Sequence, residues 1–207
     1  MNSNSFKGNL YCLMGKSCTG KDTLYKKLLG DDSLGLKPLV TYTTRPLRTN
    51  EVNGRDYHFV SIDQIREFES KGQLIEERIY QTVNGPWHYA TIADEQIQSD
   101  ATRFLCIVTL EAFTQLRDYF GEERVIPLYI QVDERTLLER AIARESNECK
   151  PNYKEVCRRF LADSLDFSQE RLVKAGVERY FDNTDLVQCM AHLKSRVHEK
   201  EFADGSL

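Results

Sequence analysis

The chain has 207 residues, a formal net charge of −4 and an apolar fraction of 41%. This length fits one α/β domain with inserted lobes, and this apolar fraction is enough to bury a core. The mild acidity excludes a global basic field that would draw the chain to nucleic acid, so we expect the local clusters of Lys and Arg to bind small anions.

The cysteines and the hydropathy pattern narrow the class of protein further. Six cysteines are scattered without a Cys-x-x-Cys pair, which argues against a zinc site or a redox pair. No apolar run approaches the roughly 20 residues that a membrane span needs, and no signal-peptide pattern is present. We therefore expect a cytoplasmic protein with free thiols and no membrane partner.

The first motif in the chain is a glycine-bounded loop at residues 15–23. An apolar run at residues 10–14 predicts a buried strand before it, and apolar spacing after it predicts a helix. Gly15 and Gly20 let the backbone curl so that its N–H groups point at phosphate oxygens, and the helix N-terminus attracts the same anion. Lys21 adds a charge that can follow a transferred phosphoryl group. The predicted phosphate loop comprises Gly15, Lys16, Ser17, Cys18, Thr19, Gly20, Lys21, Asp22 and Thr23.

One position of this loop departs from the usual phosphate-loop pattern. Asp22 follows Lys21 where Ser or Thr normally serves as a magnesium ligand, and the hydroxyl comes one residue later, at Thr23. Mg²⁺ usually keeps several waters, so we expect Asp22 and Thr23 to hold it weakly, through water. An ordinary strand–turn–helix is the alternative, but a lysine placed between the second glycine and the helix favours the phosphate loop.

A second anion-binding feature follows the first helix. Arg45 and Arg48 lie three residues apart in a loop-like stretch, and Tyr57 follows on a predicted strand. Guanidinium forks match phosphate oxygens, and tyrosine adds a hydroxyl donor. The arginines could instead be solvated surface charges. Two separate phosphate-binding features indicate two phosphorylated ligands held end to end, with a phosphoryl group transferred between them.

The rest of the chain alternates between strand and helix patterns. Ser61 or Asp63 could cap a helix that closes at Gly72, and strands are predicted at residues 74–76 and in the region 83–91. Buried strands are predicted at residues 104–108 and 125–132, with Pro127 near the start of the second. One long helix is expected to contain Val156 and Leu172 and to stop at Gly176. This alternation predicts an α/β fold with a parallel sheet wrapped by helices.

Three segments downstream of the phosphate loop resemble the guanylate kinase family. They are TTRPLR at residues 43–48, EVNGRDYHF at residues 51–59 and LIE at residues 74–76, and the resemblance extends to about Asn183. It implies a P-loop nucleoside monophosphate kinase, with a small β-rich lobe for the monophosphate and a helical lid. Residues 1–207 would form a single unit. Its expected parts are a core at 8–40, 101–140 and 154–200, a monophosphate lobe at 41–100 and a lid at 141–153.

The resemblance also implies roles for individual residues. Arg45, Arg48 and Tyr57 would grip the acceptor monophosphate, and Glu76 would accept the guanine N1–H and N2–H donors that adenine lacks. The residues implied for the acceptor are Thr41, Arg45, Arg48, Tyr57, Glu76, His88 and Glu111. The implied catalytic residues are Lys21, Arg140, Arg144 and Arg159, while the loop residues with Asn183 would bind ATP.

Several positions depart from the family pattern. Lys16 stands in place of a proline. In the family's Tyr-Gly-Ser/Thr motif, our alignment puts His88 at the tyrosine, Tyr89 at the glycine and Ala90 at the hydroxyl residue. In the family's Asp-x-Asp pair, Thr109 takes one position and Glu111 the other.

The implied reaction is phosphoryl transfer from ATP to GMP with Mg²⁺, in a monomer or homodimer whose partners are small-molecule nucleotides. Two alternatives stay open. The Gly-Lys-Asp-Thr ending of the loop resembles kinases of ribose 1,5-bisphosphate, a different phosphorylated acceptor. Non-catalytic guanylate kinase-like modules keep the fold and bind phospholigands, although Lys21 and the lid arginines argue against that class.

Overall fold

The structure is a computed structural model that describes residues 6–82, 85–97 and 102–204, with side chains described up to residue 199. Its strands are β1 (Asn9–Met14), β2 (Leu36–Pro38), β3 (Tyr42–Thr43), β4 (His58–Phe59), β5 (Leu74–Thr82), β6 (Gly85–Ile92), β7 (Arg103–Ile107), β8 (Val125–Gln131) and β9 (Tyr180–Asp182). Its helices are α1 (Lys21–Leu29), α2 (Ile62–Ser70), α3 (Leu110–Phe120), α4 (Glu134–Ser146), α5 (Tyr153–Asp166), α6 (Gln169–Lys174) and α7 (Leu186–Asp204).

The larger sheet has five strands in the order β2-β7-β1-β8-β9. All six residues of β1 are buried, as expected of a strand covered on both faces. Strands β8 and β9 run parallel, with Tyr129 opposite Tyr180. Helices separate these strands along the chain, so the predicted α/β class with a parallel sheet flanked by helices is confirmed.

The smaller sheet has four strands in the order β4-β3-β6-β5. Strands β5 and β6 form an antiparallel pair in which Arg78 lies opposite Tyr89. Its buried cluster consists of Tyr42, Ile65, Ala90 and Ile92. Ile65 comes from α2, which begins with the predicted cap, since Ser61 accepts the Gln64 N–H and the Gln64 side chain accepts the Ser61 N–H.

The chain folds as two compact units, each built from several separate segments. The first comprises Met1–Leu10, Lys37–Cys106 and Glu111–Ile126, and the second comprises Tyr11–Leu36, Ile107–Leu110 and Pro127–Leu207. The division into core, lobe and lid expected from the sequence stays a prediction. Val83, where the second strand of the lobe was expected to begin, and residues 98–101 lie outside the described residues.

One predicted helix differs from the structure, whereas the predicted strand that contains Pro127 is present. The single helix expected to contain Val156 and Leu172 and to stop at Gly176 is two helices. Ser168 has extended backbone between α5 and α6 (φ −65°, ψ 150°) and stands at the N-cap position of α6 without a capping hydrogen bond from its side chain. Pro127 is the third residue of β8, but the rungs shared with β9 run only from Tyr129 to Gln131. Pro127, which has no N–H to donate, therefore lies before the residues of β8 that pair with β9.

Within the described residues, no helix combines the length and the apolar character needed to cross a membrane.

Candidate active site

The predicted phosphate loop connects β1 to α1 in the second unit. Gly15 and Gly20 have positive φ angles of 148° and 87°. A Cβ at Gly15 would collide with the Ile130 carbonyl oxygen, and one at Gly20 would lie 2.5 Å from Asn183 Nδ2. Both positions therefore need glycine for their conformation and for the close approach of neighbouring atoms. Cys18 also has a positive φ, at 64°, although it carries a side chain.

The ammonium group of Lys21 lies inside the curl of this loop. Its Nζ donates hydrogen bonds to the carbonyl oxygens of Gly15 at 2.6 Å and Lys16 at 2.7 Å. Burial lowers the pKa of Lys21, and the negative charges of Asp163 and Asp22 oppose that shift. The loop thus holds a cation in a partly desolvated place, where an anion would interact with it strongly.

Helix α5 packs against the same loop through its C-terminal half. The Ser17 N–H donates to the Asp163 carboxylate, and Lys16 Nζ donates to Ser164 Oγ at 3.3 Å. Lys16 also lies 5.9 Å from the centre of the Phe160 ring. One backbone N–H of the predicted phosphate loop, that of Ser17, is therefore already hydrogen-bonded to a carboxylate of the protein.

Asp163 is not among the residues that the sequence predicts for the site. It follows Arg159 by four residues on α5, so the helical spacing from a predicted site residue was the available signal.

The predicted lid arginines have different surroundings. Arg140 Nη2 donates to the Asn183 carbonyl oxygen at 3.1 Å. Arg144 is exposed in the last turn of α4 and lines a depression together with Ser17, Cys18 and Asp163. Arg159 lines it too, but its Nε donates to Glu155 at 2.8 Å. Hydrogen bonds from Arg158 and Arg159 hold the pKa of Glu155 at about 2.

Asn183 connects the end of β9 to the loop. Its Nδ2 donates to the Thr19 carbonyl oxygen at 2.7 Å, and its own N–H donates to the Gln131 carbonyl oxygen at 2.9 Å. The side chain is buried, and its Oδ1 has no hydrogen-bond partner among the described residues. An unused acceptor of this kind is suited to an N–H donor of a ligand.

The residues predicted for magnesium lie in the first turn of α1. Asp22 and Thr23 are both exposed there. Across the described part of the chain, no group of three His, Cys, Asp or Glu residues could hold a metal ion. Mg²⁺ in kinases takes only one or two protein oxygens besides phosphate oxygens and water, so these two side chains fit its needs.

The predicted acceptor arginine Arg45 is buried in the first unit. Its guanidinium donates to both oxygens of Glu51, at 2.7 and 2.5 Å, and its Nε donates to Tyr89 Oη at 3.1 Å. It also lies 5.0 Å from the Tyr57 ring centre and 5.4 Å from that of Phe59. Glu51 further accepts the Arg48 N–H at 2.9 Å, and the hydrogen bonds from Arg45 lead the effects that hold its pKa at about 2.

The contacts of residues 88–91 show which side chains of this segment lie beside Arg45 and Glu76. Tyr89, not His88, contacts Arg45, and its ring centre lies 5.7 Å from that of Tyr57. The Thr91 hydroxyl donates to Glu76 at 2.8 Å, while Ala90 is buried in the smaller core. Because side chains alternate along a strand, Tyr89 and Thr91 share a face of β6 and His88 lies on the other, where its Nδ1 is 2.6 Å from Glu77. These contacts favour Tyr89 and Thr91 over His88 and Ala90 as residues of the acceptor site, and the predicted roles of these positions stay predictions.

Glu76 has no exposed side-chain area. Its Oε1 accepts from Thr91, and its Oε2 lies 3.1 Å from Nε of Arg78, the residue two positions along β5. Arg78 was not predicted from the sequence, although the spacing of two on a predicted strand places it on the same face as Glu76.

Three further predicted residues lie at the surface or near it. Arg48 is exposed, Thr41 is half-buried just before β3, and Glu111 is exposed in the first turn of α3. The Thr41 carbonyl oxygen accepts the His58 N–H at 2.9 Å. Their predicted contacts with an acceptor stay predictions.

Comparisons with known proteins agree with this fold. The sequence model of the family described as guanylate kinase matches residues 7–197. A guanylate kinase of Cupriavidus metallidurans is 29% identical over 166 residues, which cover 79% of this chain and 72% of that protein. One of Porphyromonas gingivalis is 25% identical over 201 residues, covering 91% and 95%.

A crystal structure of guanylate kinase from Anaplasma phagocytophilum superimposes with a TM-score of 0.61 and 18% identity, covering 95% of this chain and 87% of that one. At this identity the likeness shows the fold alone, and it confirms the predicted P-loop NTPase-type fold.

Proposed function

The chain belongs to the guanylate kinase family and is a nucleoside monophosphate kinase, and from this premise we propose that it transfers the γ-phosphoryl group of ATP to GMP. The products would be ADP and GDP, which places the enzyme in purine nucleotide metabolism. We further propose a cytoplasmic location and a monomeric or homodimeric state.

The donor end of this proposal uses residues of the second unit. ATP phosphates would accept the N–H groups of the phosphate loop, and Lys21 would exchange its carbonyl contacts for phosphate oxygens. The free Oδ1 of Asn183 would accept the N6–H of adenine. Arg140, Arg144 and Arg159 would stabilise the charge that spreads over the equatorial oxygens during in-line transfer.

Magnesium would be held by Asp22 and Thr23 together with water. When bound, Mg²⁺ neutralises charge on the β- and γ-phosphates of ATP. Asp22 is exposed and acts electrostatically on Lys21, so it has the charge and the surroundings that this role requires.

The acceptor end uses residues of the first unit. Arg45, Tyr57 and Tyr89 would bind the phosphate of GMP, with Arg48 supplying a further charge. The observation that carries the choice of guanine is the fully buried carboxylate of Glu76, since guanine presents two adjacent N–H donors to such a group. The Thr91 hydroxyl beside it would serve in the place of the hydroxyl residue of the family motif, a place that the sequence alignment gave to Ala90.

A coupled assay of ADP release over a panel of acceptors tests this proposal. The panel contains GMP, AMP, CMP, UMP and ribose 1,5-bisphosphate, and we expect GMP to give the highest kcat/KM. The substitution Lys21→Met should lower turnover by at least about a hundredfold, because it removes charge stabilisation in the transition state. Lys27→Met, on the exposed face of the same helix, is the matched control.

Highest activity with ribose 1,5-bisphosphate would overturn the choice of acceptor. An active Lys21→Met variant would overturn the role of the phosphate loop. Absence of ADP release with every acceptor would favour a phospholigand-binding module.

A further inference from the structure

Arg78 forms hydrogen bonds with the Glu76 carboxylate, which the proposed function assigns to the acceptor base. Its Nε lies 3.1 Å from Glu76 Oε2, and its Nη2 lies 3.5 Å from Glu76 Oε1. Thr91 Oγ1 donates to Oε1 at 2.8 Å. Both carboxylate oxygens therefore already have donors from the protein, and the Glu76 side chain has no exposed area.

The local strand geometry explains this arrangement. Glu76 and Arg78 are two residues apart on β5 and so share a face, opposite Thr91 and Tyr89 of β6. Tyr89 in turn contacts Arg45, the arginine proposed to hold the acceptor phosphate. The Arg78 side chain keeps 17% of its area exposed, whereas that of Glu76 has none, so Arg78 lies between the buried carboxylate and solvent.

A buried polar group normally selects its ligand because an analogue without matching hydrogen-bond donors leaves the group unpaired, which costs free energy. When an analogue lacks the matching donors, the group loses water and gains no partner, and this unpaired state makes the wrong complex weak. Glu76 would escape that penalty, because Arg78 and Thr91 satisfy its oxygens whether or not the ligand does so. The guanine N1–H and N2–H donors would have to replace Arg78, whereas a base without them would leave Arg78 in place.

We propose that Arg78 is a specificity-determining residue that relaxes the choice of acceptor base in this enzyme. The inference rests on the proposed function, since it concerns the same acceptor site. Arg78 acts as an internal competitor for Glu76: it weakens binding of GMP and removes the penalty against AMP. IMP keeps N1–H and lacks the N2 amino group, so we expect its response to the loss of Arg78 to lie between those of GMP and AMP.

Equilibrium binding of GMP, IMP and AMP, measured by calorimetry on wild type and Arg78→Ala, tests the inference. We expect Arg78→Ala to bind GMP more tightly and AMP more weakly, so that the ratio of their affinities rises by about tenfold or more. Arg78→Lys keeps a charged donor and should stay near the wild-type ratio. Arg78→Met, which retains the aliphatic stem, replaces Arg78→Ala if thermal unfolding shows that the alanine variant is destabilised.

Arg66→Ala is the matched control. Arg66 pairs with Glu77, the neighbouring carboxylate of β5, through two contacts of 3.1 Å, but Glu77 points to the other face. A GMP-to-AMP ratio that stays within about twofold of wild type in Arg78→Ala, or that shifts equally in Arg66→Ala, would overturn the inference.

Failure of the inference and failure of the proposed function are distinguishable. If wild type phosphorylates GMP and the ratio does not respond to Arg78, only the inference fails. If wild type binds no nucleoside monophosphate, both fail.

Discussion

Replacing Asp163 with alanine is expected to tighten the binding of ATP. The Ser17 N–H donates a hydrogen bond to the Asp163 carboxylate, so one donor of the phosphate loop is already paired with a negative charge. A phosphate group that enters the loop must break this contact and then share the site with the displaced carboxylate. The alanine variant presents the same amide with no partner to displace.

The magnitude follows from the strength of such a contact. A hydrogen bond to a charged group contributes about 1.5–3 kcal/mol. Part of the gain is offset, because the Asp163 charge favours the protonated form of Lys21, and that support is lost in the variant. A net gain of about 1–2 kcal/mol remains, which corresponds to roughly 5- to 30-fold tighter binding.

Calorimetric titration with ATP at neutral pH measures this gain directly, with the KM for ATP as a second readout. Asp163→Asn should give an intermediate affinity, since its amide oxygen still accepts the Ser17 N–H without the charge. Asp166→Ala is the matched control, because Asp166 lies on the same helix and pairs with Arg171 at 3.0 Å. Equal or weaker ATP binding by a folded Asp163→Ala variant would refute the reasoning and show that Asp163 orients the loop for its ligand.

Two further predictions concern stability. Cys18→Gly should raise the free energy of unfolding by up to about 1 kcal/mol, because glycine adopts the left-handed conformation at φ 64° without strain. The gain is limited because glycine loses more chain entropy on folding. Urea unfolding, with Cys18→Ala for comparison, measures the change, and a loss of stability would contradict the prediction. Glu51→Gln should make the stability of the protein depend less on pH in the acid range. The folded-state pKa of Glu51 is held at about 2, below its usual 4.5, so its contribution is complete above pH 4.5 and disappears as the pH falls toward 2. Thermal unfolding from pH 7 to 2 checks this, and parallel curves for variant and wild type would count against it.

The features predicted correctly from the sequence depend on local patterns. The glycine-bounded loop between β1 and α1 and the cap of α2 at Ser61 each depend on residues close together in the chain. Turn and capping chemistry is local, so sequence is enough to indicate it.

The features that the sequence did not indicate depend on long-range packing or on strand register. A slip of one residue along a strand exchanges its faces, so the sequence alone does not decide whether His88 or Tyr89 lies beside Arg45. The contact between Ser17 and Asp163 joins residues 146 positions apart. The spacing of four from Arg159 places Asp163 on the same helix face, but it does not indicate a contact with Ser17. The break between α5 and α6 accompanies stacking of Phe167 on Tyr129, whose ring centres are 5.6 Å apart, and this contact also depends on tertiary structure.

The pairing of Arg45 with Glu51 has a consequence for how an acceptor would enter. The guanidinium is held in place by a carboxylate, a tyrosine hydroxyl and two aromatic faces before any phosphate arrives. An entering phosphate group would then replace Glu51 at a guanidinium that is already in position, and little conformational entropy would be lost in ordering the chain. A dianionic phosphate group competes with the carboxylate far better than a singly charged ion, so the pair would filter incoming anions by charge.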